Sequence, residues 1–121
     1  MINLNFRDSR PIYEQIKSGL LNLIVTGAIS PGEKLPSVRE LAVELAINPN
    51  TIQRAYRDLE REGVIYSVPG KGSFAAEKGE AIEAKRARAL EKFDETVREL
   101  AQLGVTVKEL NERLKGREND D

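Results

Sequence analysis

The apolar positions of this chain open on a two-residue period, pass into a helical one, return briefly to the strand period and end helical. Ile2, Leu4 and Phe6 alternate with Asn3 and Asn5, which predicts a short half-buried strand over residues 1–6. Pro11 suits a first helical position, and Ile12, Ile16, Leu20, Leu23 and Ile24 then recur on one face until Gly27 stops the helix. Beyond the turn residues Ser30, Pro31 and Gly32, Ser37 and Glu40 have the S-x-x-E spacing of a capping box. Val38, Leu41, Ala42 and Leu45 form the buried stripe of a short second helix.

The third helix has the best-marked start. Asn48 can cap it, Pro49 can occupy its first position, and Ile47 and Ile52 have the spacing of a hydrophobic staple. At about 100° per residue, Ile52, Ala55, Tyr56 and Leu59 fall on one side, while Asn50, Gln53, Arg54, Arg57 and Arg61 gather on the other. Gly63 ends it. Residues 64–68 then read as a strand, Pro69 to Gly72 as a turn and residues 73–76 as a return strand.

All five prolines lie before residue 77, and the remaining positions read as charged helix, which places a domain boundary near Glu77 to Glu80. Residues 1–76 therefore form one domain and residues 77–121 a helical tail. Within the tail, Leu90, Phe93, Val97 and Leu100 make a coiled-coil-like seam, and Ala81, Ala84, Ala87 and Ala101 allow close helix packing. Gly104 stops that helix. Thr106 with Glu109 has capping-box spacing, Val105 with Leu110 that of a staple, and Val107, Leu110 and Leu114 line a short last helix. The acidic residues 118–121 read as a frayed end. A lone helical hairpin has little against which to bury such a seam, so intermolecular packing is favoured, with Leu90, Phe93, Val97, Leu100, Leu110 and Leu114 as dimerisation residues.

Composition narrows the function. Cysteine and histidine are both absent, which removes thiolate nucleophiles, Ser-His-Asp triads and every ordinary zinc site. The Asp and Glu residues alternate with Lys and Arg along helices as solvated faces do, so no catalytic residue, metal site or cofactor is expected. Gly70, Lys71, Gly72 and Ser73 have a passing likeness to a phosphate loop, but the G-x-x-x-x-G-K-[ST] spacing fails. With no signal-type apolar stretch and no run of apolar residues long enough to span a bilayer, the expectation is a soluble, cytoplasmic protein without a membrane partner. A net charge of −1 argues against a nonspecific polycation, leaving the distribution of charge to decide.

Two short helices joined by a small turn, the second presenting amides and arginines, are what major-groove reading requires. Asn and Gln can pair with adenine, and Arg with guanine or phosphate. The same face also fits the solvated side of an amphipathic helix, since Asp58, Glu60 and Glu62 dilute it, and periodicity leaves both readings open. The Gly70-Lys71-Gly72 tip favours the first, because flanking glycines permit close backbone approach while lysine serves phosphate or minor groove.

Three spaced blocks carry a resemblance. Lys34-Leu-Pro-Ser-Val-Arg39-Glu-Leu-Ala, Asn48-Pro-Asn-Thr-Ile-Gln-Arg-Ala-Tyr-Arg57-Asp-Leu-Glu-Arg-Glu-Gly63 and Pro69-Gly-Lys-Gly-Ser-Phe74 resemble the winged-helix domain of GntR-family bacterial transcription regulators. Pro11 to Ile16 fits that family's first helix. The Asn-Pro-Asn-Thr form and the short tail are similar to its YtrA-like subfamily. The fold implied is mainly α with a small β-hairpin wing, a winged helix-turn-helix followed by a C-terminal helical hairpin.

The resemblance puts the family's operator-contacting arginine of helix two on Arg39, beside the cap residue Ser37. The polar residues that open the recognition helix fall on Asn48, Asn50, Thr51 and Gln53, and the wing-tip contact on Gly70, Lys71 and Gly72. Arg54, Arg57 and Arg61 share the outward face and suit phosphate or solvent better than bases; Arg54 and Arg57 join the DNA-binding set. Many long-tailed members have a basic residue where this chain has Pro49, and Arg where it has Gln53, so their base preference does not transfer. The implied function is a homodimeric repressor on an inverted-repeat operator in double-stranded DNA. A tail this short leaves no large effector domain, only room for a small effector at the dimer interface. The alternative is a winged-helix adaptor that binds protein without specific DNA binding.

Overall fold

A computed structural model describes residues 2–118 of the chain. Its elements are α1 (Ile12–Val25), α2 (Val38–Leu45), α3 (Pro49–Arg61), β1 (Ile65–Val68), β2 (Gly72–Ala75), α4 (Glu80–Gln102) and α5 (Val107–Glu118). The chain divides into two compact units, Met1–Glu83 and Ala84–Asp121. Among the described residues no helix is long and apolar enough to cross a membrane.

In the first unit, α1 and α2 both pack on α3. Ile16, Leu20, Leu41, Ile52, Leu59 and Val64 are its fully buried centre. The local signals explain the geometry. Ser37 Oγ accepts from the Glu40 N–H at 3.0 Å while Glu40 Oε1 accepts from the Ser37 N–H at 3.3 Å, so both halves of the box form. Asn48 Oδ1 accepts from the Asn50 N–H at 2.8 Å, and Pro49 takes the first position of α3. Between these helices Ala46 has φ 56°, a left-handed residue without glycine's freedom, and it makes the turn short. The Tyr56 hydroxyl donates to the Pro36 carbonyl at 2.6 Å, tying α3 to the residue before the α2 cap. Burial, with Glu40 nearby, pushes the Tyr56 phenol above its ordinary pKa and keeps it a donor.

The amino-terminal strand does not form. Among the described residues, 2–5 have no neighbouring strand to pair with; instead the buried Gln15 side chain serves the backbone of Asn5. Gln15 Oε1 accepts from the Asn5 N–H at 2.8 Å, and its Nε2 donates to the carbonyls of Asn5 at 2.9 Å and Arg10 at 3.2 Å. Ile2 is buried against Gly19 of α1 as the alternation requires, while Phe6 is exposed and Met1 lies outside the described residues. Pro11 precedes α1 instead of opening it, and its carbonyl accepts from the Glu14 and Gln15 N–H groups at 3.1 and 3.2 Å.

The hairpin is antiparallel, with Ile65 opposite Ala75 and Val68 opposite Gly72. β1 starts one residue later than expected, because the Val64 N–H still closes α3 on the Leu59 carbonyl at 3.0 Å, and β2 lies one residue earlier than expected. The sequence does not announce an isolated bridge between Lys34 and Phe74: the Leu35 N–H donates to the Ser73 carbonyl at 2.8 Å, and the Ala75 N–H to the Glu33 carbonyl at 2.9 Å. These bonds cover the outer edge of β2.

In the second unit, Gly104 at φ 89° ends α4, with the Val105 N–H on the Leu100 carbonyl at 2.9 Å. Thr106 Oγ1 accepts from the Glu109 N–H at 3.2 Å and opens α5. Glu118 is still helical; residues 119–121 of the expected frayed end lie outside the described residues. Neither α4 nor α5 buries a single described side chain.

Candidate nucleic-acid interface

One open groove of about 510 Å³ brings together Ser37, Gln53, Arg57, Gly70, Lys71 and Gly72 from three separate blocks of sequence, while Arg39, Asn48, Asn50, Thr51 and Arg54 lie outside its lining. Ser37 and Val38 at the start of α2, Gln53, Tyr56, Arg57 and Glu60 of α3, and the wing from Ser67 to Ser73 line it, together with Lys34. The capping box sets where α2 begins, the Asn48 cap sets the phase of α3, and the hairpin register sets the height of the tip. The groove is therefore built by local signals acting on three elements.

The tip is a glycine structure. Gly70 has φ 75° and Gly72 φ 121°, values that a side chain would strain, and the bond from the Lys71 N–H to the Val68 carbonyl at 2.9 Å closes the turn. A Cβ on Gly72 would also stand 2.9 Å from Cε of Lys34, whose stem crosses that glycine. Gly70 has nothing within 4 Å of such a Cβ and is open to an approaching surface.

Among the described residues Arg39, Arg57 and Lys71 are exposed and make no ion pair, so their donors are available to an anionic ligand. Gln53 is exposed beside Arg57, while Asn50 is exposed and Thr51 partly buried. The oxygens of Ser37 and Asn48 already accept from their own helices, which leaves them cap residues first. Arg39 sits on the exposed side of α2 outside the groove lining.

Two arginines grouped with the reading face behave differently from Arg57. The Arg54 guanidinium lies 3.7 Å from the centre of the Tyr13 ring, a cation–π contact that holds it toward α1. Arg61 pairs with Asp58 at 2.8 Å. Asp58 of α3 and Glu62 just after it also meet Lys17 of α1, so these two acids are engaged in the α1–α3 packing.

Sequence reasoning missed Tyr13, Lys34 and Glu60. Each acts across elements, through a ring under Arg54, a stem over Gly72 and a carboxylate on the wing backbone, and no short-range spacing announces such contacts. The phase of α3 separates the roles of its first polar residues. Asn48→Ala should cost about 0.5–2 kcal/mol through the lost cap, whereas the exposed Gln53→Ala should leave thermal melting unchanged and shift which duplexes are preferred. Melting curves and duplex competition on the two variants check this; a larger melting loss for Gln53→Ala would mean that the α3 phase is wrong.

Comparisons with known proteins agree with this geometry. The model for "Bacterial regulatory proteins, gntR family" matches residues 12–74. The HTH-type transcriptional repressor YtrA of Bacillus subtilis (strain 168) is 39% identical over 117 residues, covering 95% of this chain and 90% of that protein. Among solved structures, a GntR family transcriptional regulator from Listeria monocytogenes superposes with a TM-score of 0.74 at 40% identity, over 92% of this chain and 98% of that one. The AraR DNA-binding domain in complex with operator ORR3 gives a TM-score of 0.55 at 35% identity, over 61% of this chain and 89% of that one.

Proposed function

The chain belongs to the GntR family of bacterial regulatory proteins, transcription regulators rather than enzymes, and on that premise we propose that it is a homodimeric, sequence-specific repressor in the cytoplasm. Residues 1–76 bind an inverted-repeat operator in double-stranded DNA, and residues 77–121 hold two copies together. The observation that carries the reading is the single groove in which Gln53 and Arg57 of α3 face the Gly70-Lys71-Gly72 tip. α3 enters the major groove with Gln53 and Asn50 toward base edges, Arg57 toward phosphate, and Lys71 on backbone or minor groove, while Arg54 reaches phosphate only by leaving the Tyr13 ring. Arg39 adds a contact from α2. The operator complex of the AraR domain supports the docking mode, and the name of the Bacillus relative supports repression. Any effector is small and binds where two tails meet.

Binding to genomic fragments, selected and sequenced and then compared with random duplex at defined salt, tests the reading. Specific affinity well above that for random duplex is expected; equal affinities would favour a protein-binding adaptor instead. Within that assay Arg39→Ala should lose about 1–3 kcal/mol and relax preference at particular base pairs. Lys71→Ala should weaken all duplexes alike and lower the salt slope by about one. A folded Arg39→Ala protein with unchanged operator affinity would remove Arg39 from the interface.

A further inference from the structure

A ribbon of two four-residue strands is not held in place by its own ladder. In this wing the outer edge of β2 is covered by residues 33–35, which leaves the edge of β1. There Oε1 of Glu60, on α3, accepts from the Ser67 N–H at 3.0 Å. Ser67 stands opposite Ser73, their hydroxyl oxygens 3.4 Å apart, and lies just before the turn that carries Lys71. We propose that Glu60 is the positioning residue of the wing: its carboxylate fixes β1 to the recognition helix, so that Lys71 reaches DNA at a set distance from Gln53 and Arg57. This rests on the operator-binding reading above.

The choice of residue type supports the assignment. A carboxylate in a groove built to receive a polyanion weakens attraction for every duplex. Arg57, three residues earlier on the same helix, has the spacing to neutralise it, yet Glu60 is bonded to the strand edge and Arg57 makes no ion pair among the described residues. Bonds to an ionised acceptor are stronger than neutral ones, which suits the task of holding a short ribbon by one edge. Glutamine at this position would keep an acceptor of the same reach without the charge, and alanine would keep neither.

The test uses the full chain and a duplex recovered from a random-sequence pool by repeated selection on the wild-type protein, with a scrambled duplex as reference. Glu60→Ala should weaken binding to the selected duplex about tenfold, the scale of one charge-assisted hydrogen bond. In that background Lys71→Ala should add less than about twofold, because a loose wing no longer delivers the lysine. Hydrogen exchange at the Ser67 amide, read by NMR without DNA, should accelerate in Glu60→Ala. Glu60→Gln should keep both the Ser67 protection and the Lys71 sensitivity while binding the scrambled duplex more tightly. A Lys71→Ala penalty of the same size with and without Glu60 overturns the proposal, as does a Glu60→Gln protein that behaves like Glu60→Ala. A wild-type protein that does not distinguish the two duplexes overturns the operator reading itself, before any variant is made.

Discussion

Replacing Leu59 by alanine is expected to destabilise the DNA-binding unit by about 2–5 kcal/mol, a large fraction of the roughly 5–15 kcal/mol that holds a typical domain folded. Leu59 is fully buried on the inner side of α3, and its carbonyl accepts the Val64 N–H that turns the chain into the wing. With Trp absent and only three Phe and three Tyr in the chain, the core is mainly aliphatic, and Tyr56, the one ring buried in it among the described residues, is tied by its hydroxyl to the Pro36 carbonyl. Removing the isobutyl group therefore loses both its transfer free energy and its packing against the neighbouring core side chains. The midpoint of thermal unfolding should fall by on the order of 10 °C or more for a unit of this size. Val43→Ala is the control, since Val43 is 82% exposed and its loss should stay within about 0.5 kcal/mol. Parallel melts of the two variants decide the matter: a Leu59→Ala protein as stable as Val43→Ala would mean that α3 does not pack as described.

What could be read from the sequence was whatever is encoded within a few residues. The Ser37–Glu40 box, the Asn48 cap with Pro49, and the alternating faces of α3 all place partners on adjacent turns, so spacing alone announces them. The amino-terminal segment shows the converse. Its alternation correctly buries Ile2, but a strand needs a partner, and the groups that serve its backbone belong to Gln15, ten residues beyond Asn5. Residues 33–35 are too few to show any period, and they join the wing only because β2 offers an edge. Ile82 likewise returns to the core of the first unit from beyond the last proline and the hairpin, where composition alone places the boundary earlier. At the candidate site, motif spacing brought Gln53, Arg57 and the wing tip onto one groove, whereas the Tyr13 ring that holds Arg54 depends on how α1 crosses α3.

The double substitution Phe93→Asp with Val97→Asp is expected to turn the protein into a monomer and to lower its affinity for an inverted-repeat duplex by about 10²–10⁴-fold. On α4, Leu90 is 54% exposed and Phe93 49%, with Val97 and Leu100 only partly buried along the same stripe. On α5, Leu114 is 49% exposed beside the partly buried Leu110. Apolar area left in water costs about 25 cal/mol per Å², and an ordered helix carrying such a stripe is stabilised by covering it. In the homodimer proposed above, a second copy would cover it with the same residues, which is how a two-fold interface is made. Placing two carboxylates in that interface demands their desolvation without partners, which the pairing cannot supply. Half-sites one turn of DNA apart are then bound independently, and the advantage of tethering disappears while affinity for a single half-site stays the same. Arg88→Asp, on the far side of α4, should leave the dimer intact. A chain ending after Glu83, which keeps Ile82 with its core, should match the double variant. Sedimentation at micromolar concentration and binding to one-site and two-site duplexes read both effects. Dimers persisting in both proteins would move the interface into residues 1–83, and the exposed stripe of α4 would then need another occupant.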